Sequence, residues 1–344
     1  MKHILKIFLV FCIMSVIFAK DNLKANESDS SRQEETTEQS LDLAIIKIQS
    51  PIARKFLRSD SIRVRKFYTT YMPRGRLPIL KVEKPTEQQC RERLEKILSI
   101  HGGRKPGHIK KVGGALATRL TDASCWIHLA SGGYKFTVTR NAMTKPTQLK
   151  DFKEAVQKCL DHIAKNRLVE LTQDEELDII SVSAVNNVLS DVKAPEQPKE
   201  QFISDYYVSF GRRFRGIPIV GSYLTIRIDG DGQVVMVNSN WRQIVAVEKE
   251  KVRITEKPLR ELIFNNPKFR EIFGSGEVRL KDINISQIRA GYIEAPFNYV
   301  QRRLRPGCFV SFWGRKNRDE MDTQLLLPLE EQVSLKLLLG ERYK

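Results

Sequence analysis

Two groups of cysteine and histidine residues have the types needed for chemistry. Cys90, His101 and His108 are close enough in sequence to ligate a metal ion. A structural zinc site needs four ligands and only three are near, so exposed loop histidines are the better interpretation. Cys125 with His128 would be a thiol nucleophile with its base. Residues three apart in a predicted strand point to opposite faces, however, which disfavours this pair.

Other catalytic and ligand-binding motifs are missing from the sequence. His162 is another candidate base for Cys125, but nothing in the sequence brings the two together. No His-Glu-x-x-His zinc motif or Gly-x-Ser-x-Gly elbow occurs, and the glycine-rich segment 102–109 lacks the Lys-Ser/Thr ending of a phosphate loop. Asp229 and Asp231 lack the further oxygen ligands of a calcium site and indicate a hairpin turn. We predict no catalytic residues, no metal and no cofactor, and therefore no enzyme.

The first 19 residues have the order of a secretory signal peptide. Met1–Lys6 is cationic, residues 7–18 are uncharged and almost wholly apolar, and Ala19 ends the run with a small residue. An uncleaved membrane anchor is the alternative, but a spanning helix needs about 20 apolar residues and this run is shorter. We predict a secreted or extracytoplasmic protein, which is membrane-tethered if the signal is not cleaved.

The cysteine content fits that compartment. Of the five cysteines, Cys12 leaves with the signal, and the others are Cys90, Cys125, Cys159 and Cys308. In an oxidising compartment these four are candidates for two disulfides, in any of three pairings. Their spacing does not select a pairing, so disulfides and buried thiols both remain open.

The formal net charge of +17 indicates an anionic partner. Outside the cytoplasm, lipid headgroups, envelope polymers and acidic protein surfaces are better candidates than nucleic acid. Residues 20–45 are acidic and poor in large apolar side chains, which predicts a disordered leader. Residues 46–85 are basic, with interleaved aromatic residues, and are predicted to be an irregular arm. This arm would either bind an anionic surface or lie over the core.

A first α+β unit is predicted over residues 86–190. Thr86 and Gln89 form a capping box at the start of a helix that ends at Ile100. The Gly- and Lys-rich segment 103–121 is predicted to be loop. The remaining elements are two strands, a helix and a further strand, over residues 124–130, 134–139, 148–166 and 178–189.

The charged segment 191–201, which contains two prolines, is predicted to be a linker to a second unit over residues 202–344. In that unit Leu224, Ile226 and Ile228 share one face of a strand, and Tyr223, Thr225 and Arg227 share the other. A turn over 229–232 leads into the returning strand of a hairpin. The predicted fold class is α+β, with antiparallel sheets packed on helices in two related units.

Several motifs in the C-terminal half resemble a known pattern. Tyr206–Phe210, Arg215–Leu224 and Asp229–Val235 resemble the FTP module in the propeptides of thermolysin- and fungalysin-like secreted metalloproteases. Ala290–Ile293 and Leu304–Val310 resemble the PepSY module that follows it. The resemblance implies a non-catalytic protein that masks, inhibits or assists the folding of an exported partner such as a protease. No protease domain follows, so it would act in trans.

Six arginines near these motifs are candidates for a cationic binding rim, with an ordinary solvated sheet edge as the alternative. They are Arg212, Arg213, Arg215, Arg302, Arg303 and Arg305. A second functional hypothesis is an envelope-associated protein that binds anionic polymer or lipid through the basic arm over residues 46–85. This binding would be sensitive to salt.

Overall fold

The computed structural model describes residues 73–343, except 102, 104–106, 140–150, 192–193, 258, 268, 270, 272–283, 317–318 and 331–332. All described residues belong to one compact unit, Leu43–Lys344. The predicted signal peptide, the acidic leader and the basic arm up to residue 72 lie outside the described residues.

Sixteen strands and four helices lie in the described part of the chain. The helices are α1 (Glu87–Ile100), α2 (Phe152–Asn166), α3 (Leu259–Phe264) and α4 (Leu335–Leu339). The strands are β1 (Arg76–Val82), β2 (Lys110–Val112), β3 (Ala115–Arg119), β4 (Ala123–His128), β5 (Tyr134–Val138), β6 (Glu175–Asp191), β7 (Ala194–Phe214), β8 (Ile217–Val220), β9 (Tyr223–Asp229), β10 (Val234–Asn240), β11 (Ile244–Arg253), β12 (Asn284–Ile293), β13 (Tyr299–Val300), β14 (Arg303–Lys316), β15 (Asp319–Pro328) and β16 (Glu341–Arg342).

Fourteen of these strands form one mixed sheet. Its order is β11-β1-β14-β12-β8-β7-β9-β10-β5-β4-β3-β2, with β15 paired to β14 and β6 paired to β7. Strands make up 51% of the structure and helices 20%, so the protein is mostly β. The predicted α+β class, with antiparallel sheets packed on helices, is wrong.

The sheet is continuous because strands from both halves of the chain pair edge to edge. β10, from the second half, pairs with β5, from the first, with Asn238 opposite Lys135. β1 pairs with both β11 and β14, with Leu80 opposite Val247 and Leu304. The backbone hydrogen bonds of one sheet therefore join segments that were predicted to form separate units.

Three segments predicted to be irregular contain strands. β1 lies within the predicted basic arm, and β2 and β3 lie within the predicted loop over 103–121. The predicted linker over 191–201 falls at the ends of β6 and β7, where Asp191 pairs with Ala194. Before Asp205, β7 pairs only with β6 among the described strands, so its other edge tolerates the prolines that indicated a linker.

Helices α1 and α2 cover one side of the sheet section formed by β4, β5, β10, β9 and β7. The predicted capping box of α1 is confirmed: Gln89 N donates to Thr86 Oγ1 at 3.2 Å, and Thr86 N donates to Gln89 Oε1 at 2.7 Å. We call this side of the section the covered face. Its inward side chains are fully buried, among them Cys125, Ile127, Phe136, Val208, Leu224 and Ile226.

Candidate binding face

The opposite side of the same sheet section is accessible to solvent. Alternation along each strand places every second side chain on this side. We call it the open face and define it by the outward residues of β4, β5, β10, β9 and β7. They are Trp126, Lys135, Thr137, Met236, Asn238, Thr225, Arg227, Tyr207 and Ser209.

Strand register arranges these residues in two rows. One row runs from Trp126 through Lys135, Asn238 and Thr225 to Ser209. A parallel row runs from Thr137 through Met236 and Arg227 to Tyr207. Neighbouring strands lie about 4.8 Å apart, so the first row extends about 19 Å across five strands and the second about 14 Å across four.

Trp126 is the most exposed aromatic side chain of the open face, at 42%. It stands opposite Lys135, which is also exposed. An indole at this position gives a large rigid apolar surface, and tryptophan is enriched among the residues that dominate protein interfaces.

Arg227 and Tyr207 form the polar centre of the second row. The Arg227 guanidinium lies 5.4 Å from the centre of the Tyr207 ring and donates to Asp205 Oδ2 at 2.8 Å. This hydrogen bond to Asp205 raises the pKa of Arg227. Because the Asp205 side chain is only 4% exposed, the carboxylate lies below the cation. Asp205 neutralises this guanidinium at close range, so the net positive charge of the open face comes from Lys135.

Two hydroxyl groups of the open face bond to each other. Ser209 Oγ and Thr225 Oγ1 are 2.9 Å apart on neighbouring strands. Neither hydroxyl is hydrogen-bonded to a histidine or carboxylate in the described part of the chain, as an activated nucleophile would be.

Cys125 and His128 lie on opposite sides of the sheet, whereas His162 lies on α2, on the covered side. Cys125 is fully buried on the covered face, and burial raises the pKa of its thiol to about 12. His128 lies on the other side, where its ring stacks on Phe297 at 4.0 Å. A thiol with so high a pKa remains protonated near neutral pH and is not a nucleophile.

All four remaining cysteines are free and buried, so the candidate disulfides are not formed in this structure. They lie on four different elements: Cys90 on α1, Cys125 on β4, Cys159 on α2 and Cys308 on β14. Burial raises the pKa of Cys90 to about 11 and that of Cys308 to about 12. Each thiol therefore contributes as a small apolar side chain.

The remaining ligand candidates lie in ordinary structural environments. His101 is buried and stacks on Phe136 at 4.4 Å, whereas His108 is exposed. Asp229 Oδ1 accepts from the backbone amides of Asp231 and Gln233, so the predicted hairpin turn is confirmed. Within the described ranges, no three His, Cys, Asp or Glu side chains form a group that could hold a metal ion.

The six candidate arginines are divided between buried and exposed positions. The first three lie at the end of β7 and the others at the start of β14, and β8 and β12 separate these strands. Arg305 is 9% exposed and donates to both carboxylate oxygens of Glu330 at 2.7 Å. Four of the six arginines are exposed or half-exposed: Arg302, Arg213, Arg215 and Arg303. The last three form ion pairs with Asp178, Asp174 and Glu248, respectively.

Arg212 is completely buried and is the centre of an ion cluster. Its guanidinium donates to Glu175 Oε1 at 2.6 Å, to Glu294 Oε2 at 2.7 Å and to Ser222 Oγ at 2.9 Å. Arg242, also buried, donates through its backbone amide to Glu294 Oε1 at 2.8 Å. Each charge has an opposite partner and several hydrogen bonds, which is the condition for burying charges in an apolar interior.

The Ile-Pro-Ile-Val-Gly motif builds one wall of this cluster. Gly221 has a φ of +96°, and a Cβ there would collide with the carbonyl oxygen of Glu294. The Glu294 amide donates to the Val220 carbonyl at 2.8 Å. The glycine is therefore needed for the close approach that brings Glu294 to Arg212.

The sequence contains one signal of the open face that belongs to none of the motifs above. Alternation places Thr225 and Arg227 on the outward side of their strand, but the motifs give them no role. Trp126 alternates in the same way with the apolar residues Cys125 and Ile127. A tryptophan at an outward strand position is the signal that would have indicated a binding face.

Comparisons with known proteins assign no family to this chain. No family model matches it, and no curated protein matches it. Among solved structures, it is similar to an uncharacterized protein from Eubacterium rectale at 13% identity and a TM-score of 0.41, over 78% of this chain and 86% of that one. This similarity is too low to support a fold or a function. No helix in the described ranges is long and apolar enough to span a membrane.

Proposed function

We propose that this is an exported, non-catalytic binding protein that binds a partner protein through its open face. The observation that carries the proposal is Trp126, an exposed indole on a rigid strand beside Lys135. Buried aromatic anchors surrounded by polar contacts dominate the binding energy of protein interfaces. The resemblance to FTP and PepSY modules supports the same role, in which the partner is masked, inhibited or assisted in folding.

The charge of the open face favours an acidic partner. Lys135 forms no ion pair in the described part of the chain, whereas Arg227 is paired with Asp205. Lys110 and Arg119, exposed on β2 and β3, extend the positive charge beyond Trp126. Complementary charge accelerates association and excludes partners of like charge.

The test is a pull-down from the native extracytoplasmic fraction with the mature chain, residues 20–344, at low and high salt. We expect a protein partner that stays bound at high salt, because apolar contacts at Trp126 are not screened. Replacing Trp126 by Ala should weaken the purified complex by about thirtyfold or more. Lys135→Glu should mainly slow association.

A matched control is available on α4. Leu337 is an apolar side chain of similar exposure, 48%, that does not belong to the open face. Leu337→Ala should bind the partner like the unmodified chain. Equal loss in both variants, or capture only of a polymer or lipid that high salt releases, would contradict the proposal. The second outcome would instead support binding through the basic arm.

A further inference from the structure

A cavity of about 350 Å³ lies beside α1, away from the open face. Its lining comes from α1, the segment that follows α2, the start of β5 and the segment that follows β10. This volume is in the range of small-molecule sites. The cavity is partly open to solvent and large enough to hold a ligand of modest size.

The inner wall of the cavity is apolar and rigid. Ile97, Leu168, Tyr134 and Trp241 line it, and all four are buried. The other side of this wall is the ion cluster, since the Arg212 guanidinium lies 4.7 Å from the centre of the Trp241 ring. The wall is therefore held in place by contacts independent of any ligand.

Three cations line the same cavity: Arg93, Lys96 and Arg167. The Arg93 guanidinium lies 5.2 Å from the centre of the Tyr134 ring. Arg167 ends α2 with a φ of +47°, a backbone conformation that L-residues other than Asn and Asp rarely adopt. In the described part of the chain, none of the three forms an ion pair with a carboxylate.

Three carboxylates also line the cavity: Glu83, Glu92 and Glu170. Glu83 accepts from the Gln89 side chain at 3.1 Å, and Glu92 accepts from the Gln88 side chain at 2.8 Å. Within the described ranges none of these carboxylates forms an ion pair with a cation. Opposite charges thus line one cavity in equal number, without ion pairs between them in the described part of the chain.

We propose that this cavity binds a zwitterionic ligand, an amino acid or a short peptide with apolar side chains. Its carboxylate would bind at Arg93, Lys96 and Arg167, and its ammonium group at the glutamates. Its side chain would lie on the apolar wall. A ligand with only one sign of charge would leave one set of lining groups unpaired, and charge-assisted hydrogen bonds to both sets favour the zwitterion.

The experiment is calorimetric titration of the mature chain with leucine, phenylalanine and the dipeptide Leu-Leu. N-acetyl-leucine, which lacks the ammonium group, and leucine amide, which lacks the carboxylate, are titrated in parallel. We expect at least one zwitterion to bind. The analogues that lack the ammonium group or the carboxylate should bind about tenfold more weakly. A preference for the dipeptide over leucine would identify peptides as the ligand class.

Variants locate the binding in the cavity. Lys96→Met and Glu170→Gln should each weaken binding about fivefold. Their matched controls, Lys165→Met and Glu95→Gln, change exposed residues outside the lining and should leave the affinity unchanged. Absence of binding by all three zwitterions overturns the proposal. So does equal binding of the singly charged analogues, or insensitivity to both cavity variants.

Discussion

The two faces of one sheet section differ in nearly every property although the same five strands build them. On β5, Phe136 is fully buried against His101, whereas its neighbour Lys135 is exposed. On β4, Cys125 is fully buried and Trp126 is 42% exposed. Packing of the covered face by α1 and α2 fixes the backbone, and this backbone fixes the spacing of the open-face side chains. Residues that pack the interior and residues accessible to solvent thus alternate along each of these strands.

β7 shows the same contrast with two residues of one type. Arg212 is completely buried among carboxylates, whereas Arg213 points to the other side of the strand, is 24% exposed and pairs with Asp178. An arginine is therefore a structural residue on one side of this strand and a surface residue on the other.

The largest expected effect separates these two arginines. Arg212→Met would leave Glu175 and Glu294 buried with reduced compensation, and breaking buried pairs costs about 3–5 kcal/mol. Arg213→Met should cost less than about 1 kcal/mol, because pairs near the surface contribute little. Urea unfolding gives both values. Similar losses of unfolding free energy in the two variants would show that the side of β7 on which an arginine lies does not decide whether it stabilises the fold.

The next effect compares neighbours on β5. Phe136→Ala removes a fully buried ring and should lower the free energy of unfolding by about 3–5 kcal/mol. Lys135→Ala changes an exposed residue and should cost less than about 0.5 kcal/mol. Thermal and urea unfolding of the two purified variants measure this difference. If Lys135→Ala were as destabilising as Phe136→Ala, the side chains of the open face would also stabilise the fold.

The smallest effect concerns acid, and it arises below the covered face. Burial, and secondarily Lys165, lower the pKa of His162 on α2 from its ordinary 6.5 to about 4. The unfolded chain therefore binds more protons below pH 6.5, and the stability that this residue provides at neutral pH is lost as the pH falls towards 4. We expect a loss on the order of 2 kcal/mol between pH 7 and pH 5.

His162→Gln is the variant that isolates this contribution. It removes the titrating ring and, with it, the hydrogen bond between Asn166 Nδ2 and His162 Nδ1. Its stability should change less between pH 7 and pH 5 than that of the unmodified chain, as measured by urea unfolding at each pH. An unchanged pH dependence would assign the acid sensitivity to other groups.

Local elements could be predicted from the sequence because neighbouring residues determine them. The helix that begins after Thr86 follows from its capping box. The hairpin of β9 and β10 follows from strand alternation on both sides of Gly232, which has a φ of +79° in the turn. The outward positions of Thr225 and Arg227 follow from the same alternation.

The continuous sheet and the burial of Arg212 could not be predicted in this way. The carboxylates that neutralise Arg212 lie 37 and 82 residues away in sequence, so no local pattern distinguishes it from a surface arginine. The pairing of β5 with β10 likewise depends on two segments far apart in the chain. The prolines near residue 195 indicated a linker. They do not distinguish a linker from a strand whose edge has no partner, because such an edge tolerates proline equally well.

The position of β1 has a consequence for the order in which the chain folds. This strand is made early, yet its partners are β11 and β14, which are made late. Pairings between such distant segments carry a large loop-closure cost and are intrinsically slow. β1 can therefore pair only after β11 and β14 have been synthesised, so this part of the sheet forms late although β1 is the first strand of the described residues.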